Sequence, residues 1–153
     1  VRASDGDFDF LSGRIVDGEH RLPIRIYYED TDFTGLVYHA SYLRFMERGR
    51  SDFIRLLGID QGELFEQAAK EAPGFHFVVR SMKLDFLRPA RVDEVVEVVT
   101  RPGEVAGASI ILKQSVVRGA DVLIEADVRI AFVAGEKPMR IPAALRQALR
   151  AED

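Results

Sequence analysis

Asp30 and Asp32 lie in the stretch Tyr28-Glu29-Asp30-Thr31-Asp32-Phe33-Thr34-Gly35-Leu36-Val37-Tyr38-His39, where an acidic turn runs into the longest helical pattern of the chain. A helix N-terminus presents backbone N–H groups without intrahelical partners and carries partial positive charge, so it can hold an oxyanion. A carboxylate beside it can attack a carbonyl or activate a water. Thioesters suit such sparse machinery, because a thiol of pKa about 8.5 leaves as thiolate with little acid assistance. Aspartates are equally the residues that make Asx bonds in turns. An Asp-Thr-Asp metal site is disfavoured, since no histidine or further acid cluster stands beside it, and no metal is expected. Spacing alone leaves the catalytic and the turn-forming readings of Asp32 both open.

Elements on either side must hold this junction. Ile24, Ile26 and Tyr28 alternate with Arg25, Tyr27 and Glu29, the period of a strand. From Ser41 to Leu57 the period changes. Tyr42, Phe45/Met46, Gly49, Phe53 and Leu56/Leu57 form one helical stripe, with Ser41 as the cap and Gly58 as a left-handed exit. The opposite face carries Arg44, Arg48, Asp52 and Arg55, with Arg48–Asp52 as an i,i+4 pair. Gly49 is unfavourable inside a helix unless it lets the helix sit close to a sheet. A second helix is expected over 61–70.

Beyond Pro73-Gly74 the chain reads almost entirely as strand. Residues 75–87 slip phase near Arg80-Ser81, with Phe75, Phe77 and Val79 on one face and Met82, Leu84 and Phe86 on the other, as a bulge would produce. Strands follow at 92–100, 108–117 and 122–133, the last two joined by Arg118-Gly119-Ala120-Asp121, a hairpin signal. A short amphipathic helix closes the pattern at 143–150. The order is strand, long helix, then four strands in a meander. One helix cannot cover both faces of such a sheet, so the sheet wraps the helix or buries its far face in another subunit.

The 153 residues amount to one domain, divided as an extension over 1–21, a core over 22–134 and a tail over 135–153. The absence of cysteine removes disulfides and thiolate chemistry. A net charge of −4 argues against nonspecific nucleic-acid binding. There is no apolar run long enough to span a membrane and no signal-peptide pattern, so a cytoplasmic protein is expected.

Three blocks resemble the 4-hydroxybenzoyl-CoA thioesterase family, and within it the Tol–Pal-associated acyl-CoA thioesterase branch. They are Tyr27-Tyr28-Glu29-Asp30-Thr31-Asp32, Gly35-Leu36-Val37-Tyr38-His39-Ala40-Ser41-Tyr42 and Phe45-Met46-Glu47-Arg48. Phe77-Val78-Val79-Arg80 and Arg88-Pro89-Ala90-Arg91-Val92-Asp93 extend the likeness, which covers roughly 22–134. It implies an α+β hotdog fold, a five- to six-stranded antiparallel sheet wrapped around one long helix and paired into a homodimer or homotetramer. It also implies hydrolysis of acyl-CoA, or of an acyl carrier protein thioester, without a cofactor. The catalytic carboxylate falls on Asp32, and the backbone N–H of His39 would polarise the thioester carbonyl. The substrate would meet Gly35, Val37 and Tyr38 from one chain and Phe77, Val78, Val79, Arg80 and Ser81 from another, because the phase slip can turn side chains toward a neighbouring helix. Arg80, Lys83, Arg88 and Arg91 form a basic cluster, some of which would meet the nucleotide phosphates, although solvated strand ends explain them as well.

Phe33-Thr34 departs from the small residues usual there and puts the substrate in doubt. Glu47, on the helix, is a catalytic position in another hotdog branch; here Arg44 and Arg50 favour an ion pair. His20 and His76 read as surface or strand residues. Two competing functions are a hotdog module that binds acyl-CoA or carrier protein without turnover, and a dehydratase. The match around Asp32 disfavours both.

Overall fold

The computed structural model describes residues 5–60 and 62–150. Strands β1 (Arg14–Val16) and β2 (Glu19–Arg25) precede the long helix α1 (His39–Asp60) and the shorter α2 (Gly62–Glu71). Then come β3 (Phe75–Phe86), β4 (Val95–Ala106), β5 (Ser109–Arg118), β6 (Asp121–Ala134), β7 (Lys137–Pro138) and α3 (Ala143–Arg150). All seven strands form one antiparallel sheet in the order β1-β2-β4-β5-β6-β3, with β7 also on β6. The long helix against an antiparallel sheet is the expected arrangement, with more strands than expected. The sheet takes in residues from 14 onward, part of the stretch assigned to the extension. Only β4, β5 and β6 form the meander: β3 leaves the helices and pairs with β6, so β2 takes the place beside β4.

Helix α1 lies against the sheet through its apolar stripe, in which Tyr42, Phe45, Met46 and Phe53 are buried. Gly49 makes the approach possible. A Cβ there would stand 2.7 Å from Val98 Cγ1 and 3.3 Å from Thr100 Oγ1. Gln114 of β5 ties the same region together, donating to the Met46 carbonyl at 3.0 Å and to Thr100 Oγ1 at 2.9 Å. Its carbonyl accepts from Arg50 at 2.9 Å, and Arg50 also donates to Glu47 at 2.6 Å. Arg50, Gln114 and Thr100 are all buried, so this network supplies the partners that buried polar groups require.

Several local expectations are corrected. The helix begins at His39, because Ser41 bonds back to the preceding turn rather than capping from outside. Gly58 lies within the helix, which continues to Asp60. Asp52 pairs with Arg55 and His20 instead of Arg48. In β3 the bulge falls at Arg80, between the pairs Val79–Ile130 and Ser81–Arg129. That extra residue returns Met82 and Leu84 to the face of Phe75 and Phe77, so all four pack on the core rather than on opposite faces.

His20, expected as a surface or strand residue, is a strand residue that is fully buried. Its neutral ring donates Nε2–H to Asp52 at 2.6 Å and leaves Nδ1 without a partner. Asp52 also accepts from the Gly13 N–H at 2.8 Å and from Arg55, fastening the chain before β1 onto α1. Burial holds the His20 pKa below 6.5 against the pull of Asp52. Burial pushes the Asp52 carboxyl up, but hydrogen bonds from His20, Arg55 and Gly13 outweigh it and leave the pKa below 3.8. Both shifts weaken the fold in acid. Below pH 6.5 the unfolded chain takes up a proton on His20 that the folded chain refuses, so stability declines as pH drops. The Asp52 contribution persists above 3.8 and disappears as pH falls through its depressed folded value. Thermal melts from about pH 7 to about pH 5 should therefore show a falling Tm, and His20→Gln should flatten that fall. A wild-type Tm constant over this interval would contradict the buried neutral His20.

Candidate active site

The acidic turn is built from short-range bonds that the sequence encodes. Asp30 is buried and accepts the Tyr27 N–H at 2.9 Å, closing a 3-10 turn over Tyr28–Asp30. Its carbonyl accepts the Tyr38 N–H at 2.9 Å and the Ser41 hydroxyl at 3.0 Å, joining the turn to the first residues of α1. Asp30 is thus the structural member of the two aspartates.

Asp32 has a different setting. Its backbone N–H donates to the Leu36 carbonyl at 2.9 Å and its carbonyl accepts the Gly35 N–H at 3.1 Å. This tight loop needs Gly35, whose φ of +82° is left-handed. The Asp32 side chain accepts twice at one oxygen: Oδ1 takes the Thr34 N–H at 2.8 Å and the Thr34 hydroxyl at 2.5 Å. Oδ2 makes no hydrogen bond among the described residues. The Thr34 hydroxyl, and then its amide, hold the Asp32 carboxyl below the usual 3.8.

Two bridges pin the loop, Thr31 to Val37 and Leu36 to Arg91. The Val37 N–H is taken by the Ala90 carbonyl and the Tyr38 N–H by Asp30. The first amides of α1 left without a partner in another element are therefore those of His39 and Ala40.

Asp32 opens onto a cleft of about 340 Å³ that also holds Val37, His39, Tyr42, Phe86 and Arg88. The His39 ring packs on Tyr38, centroids 4.5 Å apart, and meets Phe86 edge-on at 6.3 Å. Arg88 is exposed and donates to Asp121 at 2.8 Å. Asp32, Val37, His39 and Arg88 thus converge, with Gly35 and Tyr38 in the adjoining turn. Phe77 to Ser81 do not join them. Phe77 and Val79 instead line a larger cavity of about 500 Å³, with Ile54, Phe65, Phe75 and the Glu47–Arg50 pair. That cavity is more apolar, and its carboxylate, Glu47, is engaged by Arg50, whereas the smaller cleft holds the Asp32 oxygen without a hydrogen bond. Among the described residues no group of three His, Cys, Asp or Glu side chains gathers as a metal site would need.

The cleft wall formed by Phe86, Leu87, Pro89 and Ile124 was missed from sequence. The Leu87 and Arg88 amides both bond the Leu123 carbonyl, a contact across β6 that local periodicity does not reveal. The only signal was Pro89-Ala90, which turns the chain back toward Val37.

A sequence model of the thioesterase superfamily matches residues 34–125. The chain belongs to the thioesterase superfamily. An acyl-CoA thioesterase of Haemophilus influenzae, YbgC, is 36% identical over 136 residues, which span 88% of this superfamily member and 96% of that protein. A crystal structure from Bartonella henselae, described as a probable thioesterase, is 38% identical with a TM-score of 0.66, covering 82% of this chain and 99% of that one. A 4-hydroxybenzoyl-CoA thioesterase superposes with a TM-score of 0.70 over 86% of this chain and 99% of that one; at 22% identity the likeness is one of fold. The superfamily's hotdog fold is therefore the fold of this chain. Within it, the superfamily match starts at Thr34, the residue that holds the Asp32 carboxylate.

Proposed function

We propose that the protein hydrolyses acyl-CoA thioesters, with Asp32 as the catalytic carboxylate. The observation that carries this reading is the Asp32 side chain: one oxygen tied by Thr34, the other unbonded, at a cleft that includes the start of α1. The activity named for the Haemophilus influenzae relative supports the same substrate class. Asp32 Oδ2 adds to the thioester carbonyl or takes a proton from an attacking water. The carbonyl oxygen gains negative charge facing the His39 N–H, the C–S bond breaks, and CoA leaves as its thiolate; in the first route water then cleaves the mixed anhydride left on Asp32, and in the second the carboxylic acid forms directly. Arg88, exposed at the rim, meets the CoA phosphates by exchanging Asp121 for a phosphate oxygen.

The acyl pocket is completed by a second copy. β3 ends the sheet with Val78 and Val79 exposed, an unpaired edge suited to antiparallel pairing with its own copy. Pairing centred near the bulge brings the 77–81 segments of the two chains alongside each other. The larger cavity of one copy then adjoins the Asp32 cleft of its partner.

Release of the free thiol (CoA or carrier-protein thiol) from a panel of acyl-CoA and acyl carrier protein thioesters tests the function. Turnover of at least one is expected, whereas tight binding without turnover would favour the binding-module reading. Sedimentation should show a dimer or larger assembly, and a stable monomer at micromolar concentration would overturn the shared pocket.

A further inference from the structure

We propose that Thr34 is a positioning residue for Asp32, fixing Oδ1 through its hydroxyl and amide so that Oδ2 alone faces the substrate. This rests on the catalytic reading of Asp32 and assigns a role to a residue that the sequence marked only as a departure from the family pattern.

The geometry separates the Thr34 side chain from the fold of the loop. The loop closes through its own backbone bonds, Asp32 N–H to Leu36 and Gly35 N–H to Asp32, and through the left-handed glycine. None of these uses the threonine hydroxyl. Thr34 is also exposed, so its hydroxyl fills no core position. A carboxylate only accepts, so the single hydroxyl proton must go to Asp32 Oδ1. An oxygen lone pair is then free for the Leu36 N–H, which approaches at 3.4 Å. The result is a short chain of donors, backbone amide to hydroxyl to carboxylate, each polarising the next. With Oδ1 accepting twice from one residue, rotation about the terminal side-chain bond is restricted and the two oxygens are no longer equivalent.

The same donors stabilise the charged form, in keeping with the depressed Asp32 pKa. The other titratable or charged groups on the elements around Asp32 are His39 from α1, Arg88 and Arg91 from the segment after β3, and Glu29 and Asp30 within the turn. None is hydrogen-bonded to the Asp32 carboxylate. Removing the Thr34 hydroxyl takes away one donor to Asp32 and the long contact from the Leu36 N–H, and leaves those groups in place.

The test compares Thr34→Val, which keeps the shape and loses the hydroxyl, with Thr34→Ser, which keeps it. Thr34→Val should lower kcat about tenfold, the scale of one charge-assisted hydrogen bond, with KM nearly unchanged. Its Tm should stay within about 2 °C of wild type, as for most surface substitutions. A carbon-NMR titration of the Asp32 carboxyl should move up toward 3.8 in Thr34→Val. Thr34→Ser should restore both turnover and titration. Wild-type kcat and titration in Thr34→Val, alongside an inactive Asp32→Asn, would overturn the positioning role and leave the catalytic reading standing. Near-wild-type turnover in Asp32→Asn would overturn both. Equal loss of Tm in Thr34→Val and Thr34→Ser would show that Thr34 serves the fold instead.

Discussion

Exchanging Asp32 for asparagine should lower kcat by about 10²–10⁴-fold, the range for losing a catalytic acid–base group. KM should change little, because the lost charge acts mainly in the transition state. The Tm should hold as well. Asparagine keeps an oxygen to accept the Thr34 amide at the Oδ1 position, and the loop's backbone bonds do not involve the side chain. Asp30→Asn and Glu47→Gln are the matched controls. Asp30 caps a turn through an oxygen that asparagine retains, and Glu47 is engaged by Arg50 and Ser51. Both should keep more activity than Asp32→Asn. Near-wild-type turnover in Asp32→Asn would reject the assignment, and a larger loss in Glu47→Gln would move the chemistry onto the helix.

The largest effect on stability is expected at Gln114→Leu, about 2–4 kcal/mol, or a fall in Tm of about 5–15 °C. Leucine is close in size, so the loss comes from polar groups left behind rather than from a void. Arg50 loses its acceptor on the sheet, and the Thr100 hydroxyl and Met46 carbonyl lose their shared donor, all in a buried setting. The double variant Arg50→Met/Gln114→Leu should be more stable than the sum of the two single losses predicts, because it also removes the buried guanidinium N–H left without an acceptor. Additive losses would show that the two residues are not coupled.

The parts of the fold legible in the sequence were those set by short-range pattern. The period-two run into Ile26, the stripe from Tyr42 to Phe53, the hairpin at Gly119 and the phase slip at Arg80 each follow from neighbours a few residues apart. The acidic turn was equally visible, since Asp32 and Thr34 are two residues apart, although which oxygen stays unbonded depends on the side-chain rotation within the folded loop. Contacts between distant segments were hidden. His20 and Asp52 are 32 positions apart, and the strand alternation around His20 gave no sign that helix α1 would cover it. The place of β3 beside β6 depends on a crossover that periodicity does not encode, and the cleft wall at Phe86 and Leu87 follows from it.

The missing side chain at Gly49 acts as a mechanical stop for the His39 end of α1 and the cleft it adjoins. Val98 occupies the notch that the glycine leaves in α1. Sliding the helix by one turn, about 5.4 Å, would replace that notch with the side chain four residues away, Phe45 or Phe53, where Val98 has no room. The axial position of α1 is thereby indexed to the sheet, and with it the height of the His39 amide above the Asp32 loop. A contact about 15 Å along the helix from the first amide thus sets the separation between the two groups that would share the thioester.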